Sequence, residues 1–195
     1  MGRFWTAANA LSLSRAVLVI PIAWLVYRGG PIGPMFGLIG LAIATDFLDG
    51  KLARWSRSVS EWGKVLDATA DKLAAAAVTL ALLARPVEPT LPLWFVALAI
   101  SRDALLALGG LLQTRRLGRF TTSLWSGKVA VTLLAATVVA ALLGAGPVAM
   151  EACLWATSAV MLYSLVDYGV RFRKIMRLGP AVRLDENGRV VFPED

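Results

Sequence analysis

Eight residues between Asp46 and Asp71 carry the chemistry that this chain could do. Asp46 and Asp49 stand three apart, and Asp67 and Asp71 four apart, so each pair projects from one face if its segment is helical. Two such faces turned toward each other would gather four carboxylates. Buried like charges protonate or push apart unless cations sit among them. Oxygen donors favour Mg²⁺ or Mn²⁺ over zinc, and the chain has no His and one Cys to offer a softer ion. A pair of such ions suits displacement at phosphorus, where charge on the attacking and leaving oxygens must be neutralised. Gly50 and Gly63 would let backbone approach a ligand closely, and Arg54 would contact a phosphate or a base.

Written as a string, the stretch is D-x-x-D-G-x-x-A-R, eight residues, then G-x-x-x-D-x-x-x-D, with Ala53 and Arg54 closing the first half. It resembles the signature of the CDP-alcohol phosphotransferases at every fixed position. The resemblance implies transfer of a substituted phosphate from a CDP-linked donor to an alcohol, with release of CMP. It implies that Asp46, Asp49, Asp67 and Asp71 hold two metal ions and that Asp71 is also the general base for the acceptor hydroxyl. Gly50, Ala53, Arg54 and Gly63 would then shape the cytidine and diphosphate pocket. Upstream, Asn9, Ser12 and Arg15 recur every three residues, similar to a stretch that family members carry before their first span. Asn9 and Ser12 would close over the nucleotide; helix capping and interface solvation are the plainer account of the same residues.

The segments that must position these residues are apolar. The 195 residues are 57% hydrophobic, with a mean hydropathy of +0.67, well above an ordinary soluble domain. The fold class expected is therefore all-α: a polytopic bundle of six transmembrane helices, each needing about 20 apolar residues, preceded by an N-terminal amphipathic interfacial helix. A net charge of +7 could suggest nucleic acid, but the basic residues flank apolar spans and form no aromatic-interleaved face. They read as topology signals and contacts to anionic lipid. Cys153, alone in an apolar run, reads as a small core residue.

In chain order, residues 1–15 form the interfacial lead-in and residues 16–170 the six-helix catalytic domain. Residues 171–195 form a basic, polar tail expected to be weakly ordered. The first span carries Pro21 and ends at Arg28-Gly-Gly-Pro. The second leads into Asp46, a polar run from Trp55 to Glu61 forms a loop, and the third opens on Asp67 and Asp71. Within the fourth lie Arg102 and Asp103, charges costly at that depth, which should face the bundle interior. They are either an ion pair or, through Arg102, an acceptor contact. Arg115, Arg116, Arg119 and Lys128 surround the next loop, where they mark topology and could also bind an anionic acceptor. Asp167, near the end of the sixth span, reads as interfacial, with an internal partner the alternative. Arg171, Arg173, Lys174 and Arg177 read as a cluster at the membrane surface.

Nearly all Lys and Arg flank one side of the expected spans, so the termini and the acid motif should be cytoplasmic. The location expected is the cell (inner) membrane. The donor that suits such a site is CDP-diacylglycerol, its acyl chains in the bilayer and its cytidine at the interfacial acids. The segments around Arg102 and around Gly127 resemble those of family members that use glycerol 3-phosphate. Those enzymes usually carry a second Arg about two turns after the first, where this chain has Gly109 and Gly110. An Arg-Asp pair followed by small residues is also similar to members that use phosphatidylglycerol, and inositol phosphate is a further family acceptor. The resemblance implies a homodimer. Outside this class, the acids could serve a divalent-cation carrier or a non-catalytic lipid-binding protein, although they cluster toward one face rather than continuing through the bilayer.

Overall fold

The computed structural model describes residues 7–55, 61–86, 88–117, 124–178, 183–184 and 190–191, with side chains described at 17–45, 72–86, 88–116, 124–178 and 190. Six helices account for nearly all of it: α1 (Ala7–Arg28), α2 (Ile32–Trp55), α3 (Glu61–Ala84), α4 (Leu93–Leu117), α5 (Trp125–Leu142) and α6 (Pro147–Leu178). The chain divides into two compact units, residues 1–92 with 141–144, and residues 93–140 with 145–195.

In the first unit α1 packs against both α2 and α3. Ile22, Val26, Met35, Leu82 and Leu91 are buried there. The turn out of α1 is set by Gly29, whose φ of 61° is a left-handed conformation that an L side chain rarely adopts. Gly29 N–H donates to Val26 O and Gly30 N–H to Leu25 O, the paired bonds of a Schellman cap, which satisfy carbonyls the helix end would otherwise orphan. The same device ends α5. Gly144, at φ 72°, donates to Ala141 O, and Ala145 donates to Ala140 O.

In the second unit α4 packs on α6, and hydrogen bonds tie α5 to both. Its interior mixes apolar and polar groups: Phe95, Val96, Ala130 and Met161 lie beside buried Arg102, Thr137, Thr157 and Ser164. The outward surface of both units is the reverse. Ile20, Ile43, Leu73, Leu93, Trp125, Val148, Trp155 and Tyr163 are all large, apolar and exposed. Helices that hide hydroxyls and a guanidinium while presenting Leu, Ile and Trp have the distribution that lipid rewards, because hydrocarbon drives no apolar side chain inward. Among the described residues, α4, α5 and α6 are long and apolar enough to cross a bilayer; shorter apolar helical stretches cover 17–28, 32–45 and 72–84.

Several boundaries differ from those expected. Residues 7–28 form one uninterrupted helix that runs through Pro21, so the stretch carrying Asn9 and Ser12 is continuous with the first apolar span. α3 starts at Glu61, six residues before Asp67. α6 runs to Leu178, so the basic residues from 171 onward begin inside a helix rather than after it. Within the tail, Arg183–Leu184 pairs antiparallel with Val190–Val191. β-branched Val190 and Val191 favour a strand, and the intervening sequence contains Asn187-Gly188, a strong hairpin signal. The tail is thus partly organised.

Candidate functional site

Helix α2 runs through Asp46, Asp49, Gly50, Ala53 and Arg54, and α3 runs through Gly63, Asp67 and Asp71. Both carboxylate pairs therefore sit on continuous helix. Five residues separate Trp55 at the end of α2 from Glu61 at the start of α3, so the acid-bearing halves of the two helices belong to the same end of the unit. The side chains of these residues, and of Asn9 and Ser12 in α1, lie outside the described ones, as does Arg119 altogether. Among the described residues, no three His, Cys, Asp or Glu form a group that could hold a metal.

The second unit contains a polar network described in full. Arg102 is only 2% exposed, and its guanidinium is engaged on three sides. Nε donates to Ser164 Oγ at 3.1 Å, Nη1 pairs with Asp103 Oδ1 at 2.7 Å, and Nη2 reaches Gly127 O at 3.5 Å. A guanidinium carries five donors in a fixed fork, and three separate acceptors from α4, α5 and α6 occupy most of it. Ser164 is itself fully buried and donates to Met161 O at 2.9 Å.

Just beyond, the start of α5 is fastened to α6. Ser126 Oγ donates to Asp167 Oδ2, and the Leu124 backbone N–H donates to Tyr168 Oη at 2.8 Å. Gly127 lies so close to the Tyr168 ring that a Cβ there would meet Tyr168 Oη at 2.9 Å and Cε2 at 3.1 Å. Only glycine permits that approach without a shift. A second polar clasp lies further along, where Thr137 and Thr157 hydroxyls share a hydrogen bond at 2.8 Å.

The cations expected near an acceptor have different settings. Arg115 and Arg116 are exposed in the last turn of α4, where positive charge suits a helix C-terminus, and Lys128 is exposed in the first turn of α5. Arg102 is committed to internal contacts. Arg173, Lys174 and Arg177 are exposed, whereas Arg171 is buried at 8% exposure, which corrects its reading as a surface residue. Burial follows from the extension of α6: one more helical turn carries position 171 on the same face as Ser164, seven residues earlier. Asp167 has its internal partner in Ser126. The sequence reading missed Ser126, Ser164 and Tyr168 because a lone hydroxyl in an apolar run signals nothing until its partner on another helix is known.

These helices, with an acid motif at one end and polar contacts buried under an apolar exterior, define a membrane-embedded class of protein. Residues 5–165 match the family model of the CDP-alcohol phosphatidyltransferases, and the chain belongs to that family. It is 37% identical over 117 residues to a protein of Streptomyces coelicolor named cardiolipin synthase (CMP-forming), covering 57% of this chain and 53% of that one. It is 36% identical over 86 residues to the CDP-diacylglycerol–glycerol-3-phosphate 3-phosphatidyltransferase of Rickettsia bellii, covering 43% and 48%. A probable cardiolipin synthase (CMP-forming) of Drosophila melanogaster is 35% identical over 106 residues, covering 54% and 32%. The chain thus matches about half the length of the two bacterial relatives and a third of the insect one.

Proposed function

We infer that the protein transfers a phosphatidyl group from CDP-diacylglycerol to an alcohol. The observation that carries this is the complete acid motif on two helices whose ends have five residues between them, within a chain of this family. The acceptor hydroxyl oxygen forms a bond to the phosphorus bearing diacylglycerol; the bond from that phosphorus to the bridging oxygen breaks, and CMP leaves with the bridging oxygen. Asp71 takes the hydroxyl proton. A carboxylate is a weak base for that proton, so holding the hydroxyl against phosphorus must contribute much of the acceleration. Arg54 offers a planar fork of donors to the diphosphate, and Gly50, Ala53 and Gly63 leave room for the nucleotide, over which Asn9 and Ser12 close. A donor set made only of carboxylates fits a hard ion. Asp46, Asp49, Asp67 and Asp71 would hold two Mg²⁺ or Mn²⁺ ions, which when bound supply charge neutralisation at the diphosphate. Six spans, a cytoplasmic acid motif and a homodimer complete the reading.

For the acceptor, exposed Arg115, Arg116 and Lys128, together with Arg119, offer cations to a phosphate, which favours glycerol 3-phosphate. The internal commitment of Arg102 favours a second reading, phosphatidylglycerol, because it removes Arg102 from direct contact with a small dianionic acceptor and leaves it to position Gly127 and Lys128. The Streptomyces and Rickettsia relatives bear names of both kinds. Purified protein given CDP-diacylglycerol and Mg²⁺ or Mn²⁺ should release CMP with one of these acceptors and not with inositol phosphate or serine, and the lipid formed identifies which. Metal flux into vesicles without CMP release would instead indicate a carrier.

A further inference from the structure

In the first unit, at the end remote from the acid motif, lies a cavity of about 210 Å³ lined by Leu25, Val26, Ile32, Met35, Arg85 and Glu88, among others. α3 rises about 1.5 Å per residue, so its last residue, Ala84, lies about 20 Å along the axis from Asp71, some two-thirds of a ~30 Å hydrocarbon core. The cavity is therefore separate from the motif and belongs to the opposite leaflet in the membrane reading given above, on which this inference rests.

Two features point to an occupant. Arg85 Nε is buried and has no hydrogen-bond partner, although a buried donor ordinarily finds an acceptor. Its neighbour in the lining, Glu88, is turned to another use, with Oε2 accepting the Thr90 N–H at 2.8 Å. The same end of α1 carries an aromatic and cationic group typical of the headgroup level: Trp24 lies against Tyr27, and the Arg28 guanidinium sits 4.6 Å above the Trp24 ring. Apolar Ile32 and Leu143, both at least half exposed, are also part of the lining. A guanidinium donor without an acceptor, a carboxylate in the same lining and apolar walls at headgroup depth match one chemistry.

We propose that this cavity binds the headgroup of a zwitterionic phospholipid, its phosphodiester on Arg85 and its ammonium toward Glu88. The carboxylate disfavours a free phosphate dianion, and the walls take the glycerol and upper acyl carbons.

The test uses the full chain in lipid-depleted detergent, titrated with phosphatidylethanolamine and followed by native mass spectrometry. One phosphatidylethanolamine should bind each chain, with diacylglycerol of the same acyl composition and phosphatidylmethanol, an anionic phosphodiester with neither an ammonium nor an acceptor hydroxyl, each bound at least tenfold more weakly. Arg85→Gln should weaken phosphatidylethanolamine binding tenfold or more, and Glu88→Gln should erase the preference over phosphatidylmethanol. Leu143→Trp, a substitution at an exposed wall position, should block the cavity without touching either charge. Equal binding by Arg85→Gln with unchanged helix content, equal binding of diacylglycerol, or displacement of the lipid by inorganic phosphate would each overturn the proposal. CMP release should be the same in Arg85→Gln as in the parent chain; a chain that binds the lipid but releases no CMP would contradict the transferase reading and leave this site standing.

Discussion

Replacing Arg102 by Leu tests whether the α4–α5–α6 network holds the second unit together. The substitution removes a hydrogen bond to Ser164 and a longer contact to Gly127, each worth roughly 0.6 kcal/mol inside an apolar bundle. It also leaves Asp103 without its counter-ion. The Asp103 side chain is 28% exposed, but it lies near the middle of a span, where lipid rather than water meets it, and an uncompensated Asp at a helix centre costs about 2.5–3.5 kcal/mol. The sum is about 4–5 kcal/mol, which for a chain of this size lowers Tm by roughly 8–20 °C. Thermal unfolding in a fixed detergent, read by loss of helical circular dichroism, measures it. Arg102→Leu combined with Asp103→Leu should recover more than half the loss, because no uncompensated charge remains. An unchanged Tm in the single variant, or a double variant no better than the single, would refute the argument that the pair is a buried tie.

Further outcomes follow from the same geometry. Asp71→Asn should lower the rate of CMP release by a factor of about 10²–10⁴, the usual range for a positioned acid or base, while leaving helix content unchanged; turnover at the parent rate would remove Asp71 from the chemistry. Gly127→Ala should destabilise by about 1–3 kcal/mol, as overpacking does, since its Cβ would press on Tyr168; Tyr168→Phe in the same chain should restore part of this by removing Oη. Thr137→Val and Thr157→Val should each cost roughly 0.6 kcal/mol, and a double-mutant cycle on unfolding should give a coupling of similar size because the two hydroxyls bond to each other.

The acid motif and the helical nature of its two segments were legible because spacing, charge and hydropathy are local properties of the chain. So was the burial of Arg102, since a cation within a span has few stable places but the interior. Which of its two expected roles the geometry favours was not, because that depends on Ser164 and Gly127, 62 and 25 residues away. The end of α6 was placed too early for a related reason: Arg171 looks like the first residue of a basic surface, and only the continuation of the helix to Leu178 shows it buried. The cavity at Arg85 left no mark in the sequence beyond a charge and a proline at a helix end, the ordinary signature of a loop.

The central claim is that Asp46, Asp49, Asp67 and Asp71 converge on a pair of divalent ions. Mn²⁺ binding to the purified chain, followed by electron paramagnetic resonance without substrate, tests it most directly. The account predicts two ions per chain with the broadened, exchange-coupled spectrum of neighbouring Mn²⁺, and loss of that coupling in Asp46→Asn and in Asp67→Asn. A single uncoupled ion, or binding that survives both substitutions intact, would contradict it.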